Sequence, residues 1–199
     1  MTIIIALKDK ENKRIIIGTD KQGTGGQIIH EVPSKIVTIP LQVITNTGET
    51  KEEKIIHILI SGYYSLTSFI TYGFPIPVMN DEETFPEYLY QKFFPELINR
   101  LNENSLMITD AGQIDNEGEL LIIYDDEIYH IDSHFGITTI NEDYYIIGSS
   151  EEVALGALYT NLKYYPETDK VEMVKQAIRV AGEKTIYCDT SVDYKIINL

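Results

Sequence analysis

The strongest constraint in this sequence is the order of its patterns: two blocks of strand-forming sequence, each followed by a block with helical character. Thr2 to Leu7 is rich in β-branched residues, and Arg14 to Thr19 repeats that character after the polar turn Lys8 to Lys13, which predicts a hairpin at the very start. Gly23, Gly25 and Gly26 punctuate a loop. Lys35 to Pro40 and Lys54 to Ser61 then read as two more strands around the polar connector Thr45 to Glu53. An amphipathic helix follows Gly62. A clearer one spans Glu83 to Asn104, with Leu89, Phe93, Leu97 and Leu101 spaced by four, Pro86 near its first turn, and Pro95 inside it as a kink or a break.

The second extended block holds Leu120 to Tyr124, Ile128 to Ile131, Ile137 to Ile140 and Tyr144 to Ile147. Ser150, Glu151 and Glu152 start a helix over Val153 to Leu162, and a further helix over Lys170 to Gly182 carries Val171, Val174, Ile178 and Ala181 on one stripe. Asp193 to Ile197 closes the chain as a strand. Each sheet must bury an apolar face and each helix an apolar stripe. The order therefore predicts an α/β fold of four layers, with two mainly antiparallel sheets packed together and flanked by helices, in a single domain over residues 1–199.

Composition narrows the function. Sixteen basic against thirty-one acidic residues give a formal net charge of -15, which repels a phosphate backbone and excludes nucleic acid as a partner; solubility is the simpler reading of that charge. No segment approaches the ~20 consecutive apolar residues of a membrane span, and the opening MTIIIALKDKENKR lacks a signal-peptide pattern, so a soluble, cytoplasmic protein is expected. The single cysteine, Cys188, cannot form an internal disulfide, in keeping with a reducing compartment.

The candidate chemistry begins at residue 2. Threonine after Met1 is small enough for the initiator methionine to be removed, and a free amino-terminal Thr2 would join a hydroxyl nucleophile to an α-amine of pKa ~7.7 to 8.0 that takes its proton near neutral pH. The motif Ile17-Gly18-Thr19-Asp20 ends the partner strand with a carboxylate close to where the first strand begins, and Lys35 opens the next strand. An ammonium there lowers the pKa of the terminal amine, and Asp20 keeps the lysine charged. Taken by themselves, Asp20 also reads as a turn carboxylate and Lys35 as a solvated strand edge.

TIIIALKD followed by IIIGTDKQGTGG resembles the start of proteasome β-type subunits, and most of all the bacterial HslV peptidase, a family of N-terminal threonine hydrolases. VPSKI around Lys35, LISGYYSLTSF around Gly62, YYIIGSSEEVALGALY around Ser149 and the closing AGEKTIYCDTSVDYKIINL follow in the family's order. The resemblance implies the four-layer hydrolase sandwich and an amidase chemistry without cofactor. It makes Thr2 the nucleophile, Asp20 and Lys35 the charged pair beneath it, Gly62 the backbone donor to the oxyanion, and Ser149 the serine near the terminal amine. Thr24 corresponds to a residue whose backbone pairs with an extended substrate between the Gly23 loop and the Gly62 segment; Ile60, Pro33 and Tyr64 then line a first specificity pocket of neutral, apolar preference. Implied partners are a peptide or unfolded-protein substrate, further copies in a homo-oligomeric ring, and an ATPase unfoldase. The chain departs from HslV in an insertion near Pro75 to Pro86 and a longer hairpin to Ile140. Like the HslV branch, it has no aspartate three residues before Cys188, where Thr185 stands. Two other readings stay open: a catalytically inactive scaffold of the same fold, and an amidase acting on a small molecule.

Other combinations carry less. His130, Asp132 and His134 alternate along one predicted strand with ligand types zinc accepts, but the polar face of a hairpin explains the same pattern and no metal is assigned. Cys188 lacks an adjacent histidine or cationic cluster and reads as packing. The Gly23 to Gly26 loop lacks the Gly-Lys-Ser/Thr ending of a phosphate-binding loop, and the acidic run Asp110 to Glu119 lacks calcium-loop spacing.

Overall fold

The structure is a computed structural model and describes residues 2–25, 28–62, 64–104, 108–110, 113–115 and 118–199; Met1 and Gly26 lie outside them, as does part of the Asp110 to Glu119 run. The chain opens with β1 (Ile4–Asp9) and β2 (Arg14–Asp20), followed by the short strands β3 (Gln22–Gly25) and β4 (Ile28–Glu31) and the long strands β5 (Ile36–Ile44) and β6 (Thr50–Ser61). Then come α1 (Tyr64–Tyr72), β7 (Met79–Asn80), α2 (Phe85–Tyr88), a π-helical turn (Leu89–Phe93) and α3 (Phe94–Glu103). β8 (Ile108–Asp110) and β9 (Gln113–Asp115) pair with each other; β10 (Glu119–Tyr124), β11 (Glu127–Ile131), β12 (Ile137–Ile140) and β13 (Tyr144–Ile147) follow. α4 (Glu151–Tyr164), α5 (Lys170–Lys184) and β14 (Val192–Asn198) complete the chain.

Two sheets result. One is four-stranded and antiparallel in the order β13-β1-β2-β14; the other is six-stranded in the order β12-β11-β10-β6-β5-β7 and antiparallel except for the short parallel pair β5–β7. Alternation along the strands sorts side chains into three apolar layers. Ile4, Ala6, Ile15 and Ile17 meet Leu59, Leu121, Ile123 and Ile128 between the sheets. Ile3, Ile5, Leu7 and Ile16 face Val174, Ile178 and Ala181 of α5 and Leu158 of α4 on the outside. Ile56, Ile58, Leu120 and Ile122 face Leu66, Phe93, Leu97 and Leu101 of the first helical block. This is the expected four-layer arrangement. Strands β1 and β2 are buried on both faces, which is why they read as unbroken apolar runs and not as alternation.

Several local expectations are corrected. As far as it is described, the glycine stretch after Asp20 is strand and not loop: Gln22, Gly23, Thr24 and Gly25 pair with Glu31, His30, Ile29 and Ile28. Strand β6 begins at Thr50, so the polar connector is shorter than expected; Lys51, Glu52 and Glu53 are exposed, which hides a solvated strand end behind a loop-like composition. The helix expected over Glu83 to Asn104 is cut by Pro95. Proline offers no N–H to the carbonyl four residues back, and the ladder widens by one residue: Phe94 N donates to Leu89 O. Thr84 and Glu87 form a capping box at the start of α2.

The histidine pattern at 130 to 134 is also broken. Strand β11 ends at Ile131; Asp132 Oδ1 closes a turn by accepting from His134 N and Gly136 N at 2.8 Å each, while His130 Nδ1 lies 3.4 Å from Tyr145 OH on the other sheet. The three side chains do not share a strand face.

At the end of the β1–β2 hairpin, Asp9 is fully buried with a complete set of donors: Arg14 Nε at 2.7 Å, Asn12 Nδ2 at 2.8 Å and Lys170 Nζ at 3.1 Å. Arg14 also reaches Asp169, whose carboxylate caps α5 through Val171 N, so the cluster fastens α5 to the hairpin. Burial by itself would raise the Asp9 pKa, but the hydrogen bonds from Asn12, Arg14 and Lys170 outweigh it and hold it at about 2. Replacing Asp9 by alanine leaves Lys170 without its partner and Arg14 with Asp169 alone, and is expected to cost about 3 to 5 kcal/mol. The native contribution is present above the ordinary aspartate pKa of about 3.9. It is lost as pH falls through about 2. Urea unfolding of both proteins at pH 7 and near pH 2 checks this: the gap should be wide at pH 7 and narrow at low pH.

Candidate active site

The two strands that form the first hairpin place the site. Residue 3 lies opposite Asp20, so the start of β1 and the end of β2 meet at one edge of the sandwich; Asp20 N donates to Ile3 O at 3.3 Å. Asp20 is fully buried, and its carboxylate is saturated in turn. Oδ1 accepts from Ile3 N at 3.0 Å and Lys35 Nζ at 2.8 Å, and Oδ2 accepts from Gln22 N at 3.0 Å. Lys35 Nζ also donates to Thr2 Oγ1 at 2.7 Å. Thr2 is 1% exposed and Lys35 4%. A single ammonium thus joins a buried hydroxyl to a buried carboxylate.

Burial pushes the Lys35 pKa down, against the pull of Asp20, Asp189 and the Cys188 side chain. Ser34 holds the lysine's entry to β5. Its hydroxyl donates to Asp193 Oδ2 at 2.5 Å and accepts from Ile36 N at 3.0 Å, tying the start of the second sheet to β14 of the first.

Two glycines bring neighbouring backbone against this edge. Gly148, at φ +108°, follows β13; a Cβ there would fall 2.2 Å from Thr2 O. Gly118 precedes β10, and a Cβ on it would lie 1.8 Å from Ser61 O and 3.0 Å from the Gly62 Cα. Both approaches are backbone to backbone, so no side-chain rotation would relieve them. Gly62 itself sits at φ +125° between β6 and α1.

A pocket of about 460 Å³, counting its open mouth, lies beside Thr2 and Lys35. Gly23, Thr24, Ile60, Gly62 and Tyr64 line it, together with Gln22, His30, Val32 and Thr67. Pro33 does not; it is exposed, and Val32, 2% exposed, takes the wall position next to it. Ser149 is exposed and outside the lining, while its neighbour Ser150 is buried. Ser150 makes no helix cap. Its hydroxyl lies 2.8 Å from Thr185 Oγ1 and accepts from Cys188 Sγ at 3.2 Å, and Thr185 Oγ1 donates onward to Ala181 O at 3.0 Å. This hydroxyl and thiol chain ties the Gly148 turn to the end of α5 and the loop that follows it.

No protein-family model and no curated protein sequence matches the chain. Solved structures do. BPH of Thiobacillus denitrificans superposes with a TM-score of 0.75 at 18% identity, over 100% of this chain and 98% of its own, and has also been solved in complex with epoxomicin. The eukaryotic HslV of Trypanosoma brucei gives a TM-score of 0.64 at 15% identity over 99% of both chains. Anbu, the ancestral beta-subunit of Yersinia bercovieri, gives 0.62 at 13% identity over 98% of this chain and 81% of its own. The chain has the HslV-type fold.

Within that HslV-type fold, the structure brings together Thr2, Asp20 and Lys35 directly, and Gly62, Gly23, Thr24, Ile60 and Tyr64 around the adjoining pocket. It leaves Pro33 and Ser149 aside. Gln22, His30, Val32 and Thr67 on the lining, and the Ser150–Thr185–Cys188 chain, were not read from sequence. The alternation of β4 was a usable signal for the wall. Once Gly23 and His30 are paired, residues 30 and 32 fall on one face and residues 31 and 33 on the other.

Proposed function

We propose that this chain is an N-terminal threonine hydrolase that cleaves peptide bonds through an acyl-enzyme on Thr2, after loss of Met1. The observation that carries the reading is the buried line Thr2 Oγ1, Lys35 Nζ, Asp20 Oδ1, at 2.7 and 2.8 Å. With Met1 gone, the α-amine of Thr2 takes the hydroxyl proton, and the Lys35 ammonium steadies the alkoxide and lowers the pKa of the amine. The alkoxide adds to the substrate carbonyl. The N–H of Gly62 receives the oxyanion, a role that a glycine suits because no Cβ obstructs the approach. The amine then returns its proton to the leaving nitrogen, and water attacks the ester by the same route in reverse.

An extended peptide would enter between β3 and the Gly62 segment, adding a strand beside Thr24. The complex of BPH with epoxomicin supports a peptide-like ligand for this fold. Large apolar side chains stand exposed on β4 (Ile28, Ile29) and α4 (Leu155, Tyr159, Tyr164), and support assembly into a homo-oligomeric ring that would enclose the site. An ATPase unfoldase would then feed the ring. No helix among the described residues is long and apolar enough to cross a membrane.

Retaining Met1 turns the Thr2 amine into a peptide nitrogen, which is not basic. Protein that keeps Met1 should therefore show no peptide hydrolysis, and the processed form should carry all of it, with intact mass and rates measured on the same samples. Equal turnover by both forms would exclude the terminal amine as base.

A further inference from the structure

The family resemblance implies an apolar preference for the pocket beside Thr2, built on Ile60, Pro33 and Tyr64. Its wall is different. Pro33 is turned out to solvent, and His30 and Val32 stand on the side that faces Gly23. Strands β3 and β4 pair Gly23 with His30, and a Cβ at residue 23 would fall 2.6 Å from His30 Nε2 and 2.7 Å from Val32 Cγ1. The absent side chain is what lets the imidazole lie over β3, where it forms an exposed wall of the pocket.

The charges are one-sided as well. Among the described lining residues Lys35 alone carries a fixed charge, its ammonium is held by Asp20, and no lining residue is acidic. The acid nearest in sequence, Glu31, points the other way and pairs with Lys21.

We propose that His30 is the specificity-determining residue of this pocket, and that the pocket takes a side chain bearing a hydrogen-bond acceptor, glutamine or glutamate, ahead of aliphatic or basic ones. A neutral imidazole offers one N–H, and an amide or carboxylate oxygen satisfies it while the methylenes rest on Val32 and Ile60. An aliphatic side chain would cover that N–H without replacing its bond to water, and a polar site left unpaired discriminates more strongly than a lost apolar contact. A lysine or arginine would meet the Lys35 ammonium and find no carboxylate.

The inference rests on Thr2 as the nucleophile, and its test separates the two. Fluorogenic peptides that differ only in carrying glutamine, glutamate, leucine or arginine at the positions before the cleaved bond are compared by kcat/KM on the assembled native protein, His30→Leu and His30→Gln. Peptide electrophiles with the same side chains are run in parallel and scored by rate of mass gain, which needs no turnover. The native protein should favour glutamine or glutamate; His30→Leu should lower the glutamine-to-leucine ratio about tenfold, and His30→Gln, which keeps a donor, should restore most of it. A native preference for leucine or arginine, or a ratio that ignores His30→Leu, overturns the His30 assignment alone. Native protein lacking Met1 that neither cleaves nor labels removes the Thr2 reading, and this one with it.

Discussion

Lys35→Ala should abolish the proposed peptide hydrolysis, a loss of at least about 10³-fold, because the ammonium is the group that touches both the Thr2 hydroxyl and the Asp20 carboxylate. The same change leaves Asp20 buried against two backbone N–H groups with its cation gone, and a destabilisation of about 3 kcal/mol or more is expected beside the loss of rate. Stability and chemistry are separated by Lys35→Arg. It keeps the positive charge, so Asp20 stays paired and the fold should hold. A planar guanidinium cannot place one compact donor between Oγ1 and Oδ1, and most of the rate should still be lost. Circular dichroism, oligomer size and peptide hydrolysis of both variants decide the matter. Near-native hydrolysis by a folded Lys35→Ala protein would mean that another group activates Thr2.

The second large effect is at residue 2. Thr2→Ala removes the hydroxyl and should give no turnover, with stability lowered only by about 1 to 2 kcal/mol for the hydrogen bond from Lys35 and the small cavity left behind. Thr2→Ser keeps hydroxyl and amine and loses one buried methyl, which lets the side chain rotate; activity should fall by about tenfold and not vanish. The two substitutions differ by a single oxygen. Equal rates from both would show that the hydroxyl takes no part.

Much of this arrangement is legible in the sequence. The β-branched runs from Thr2 and from Arg14 identify the central hairpin because both strands are buried on both faces, and that hairpin alone fixes Thr2 and Asp20 at one edge. The spacing of Leu89, Phe93, Leu97 and Leu101 gives the helical block, and Pro95 marks where it yields. What was not legible depends on side-chain phase or on contacts distant in sequence. Glycines at 23, 25 and 26 suggest a loop, yet Gly23 belongs to a strand whose bareness is filled by His30 and Val32 from the strand across from it.

Two adjacent serines, 149 and 150, cannot be told apart by pattern. Which one is buried is set by the positive φ of Gly148 and by Thr185 and Cys188, more than thirty residues away. Ser34 and Asp193, which lock Lys35's strand to β14, are 159 residues apart. Sequence periodicity holds no trace of such a pair.

Whether Thr2 is the nucleophile is decided by incubating protein that lacks Met1 with a covalent electrophile selective for amino-terminal threonine, followed by intact mass and mapping of the labelled peptide. One adduct per chain, carried by residue 2, absent from Thr2→Ala and from protein retaining Met1, is the predicted result. A fully processed protein that gains no mass, or gains it at Cys188 or a lysine with Thr2 unmodified, would contradict it.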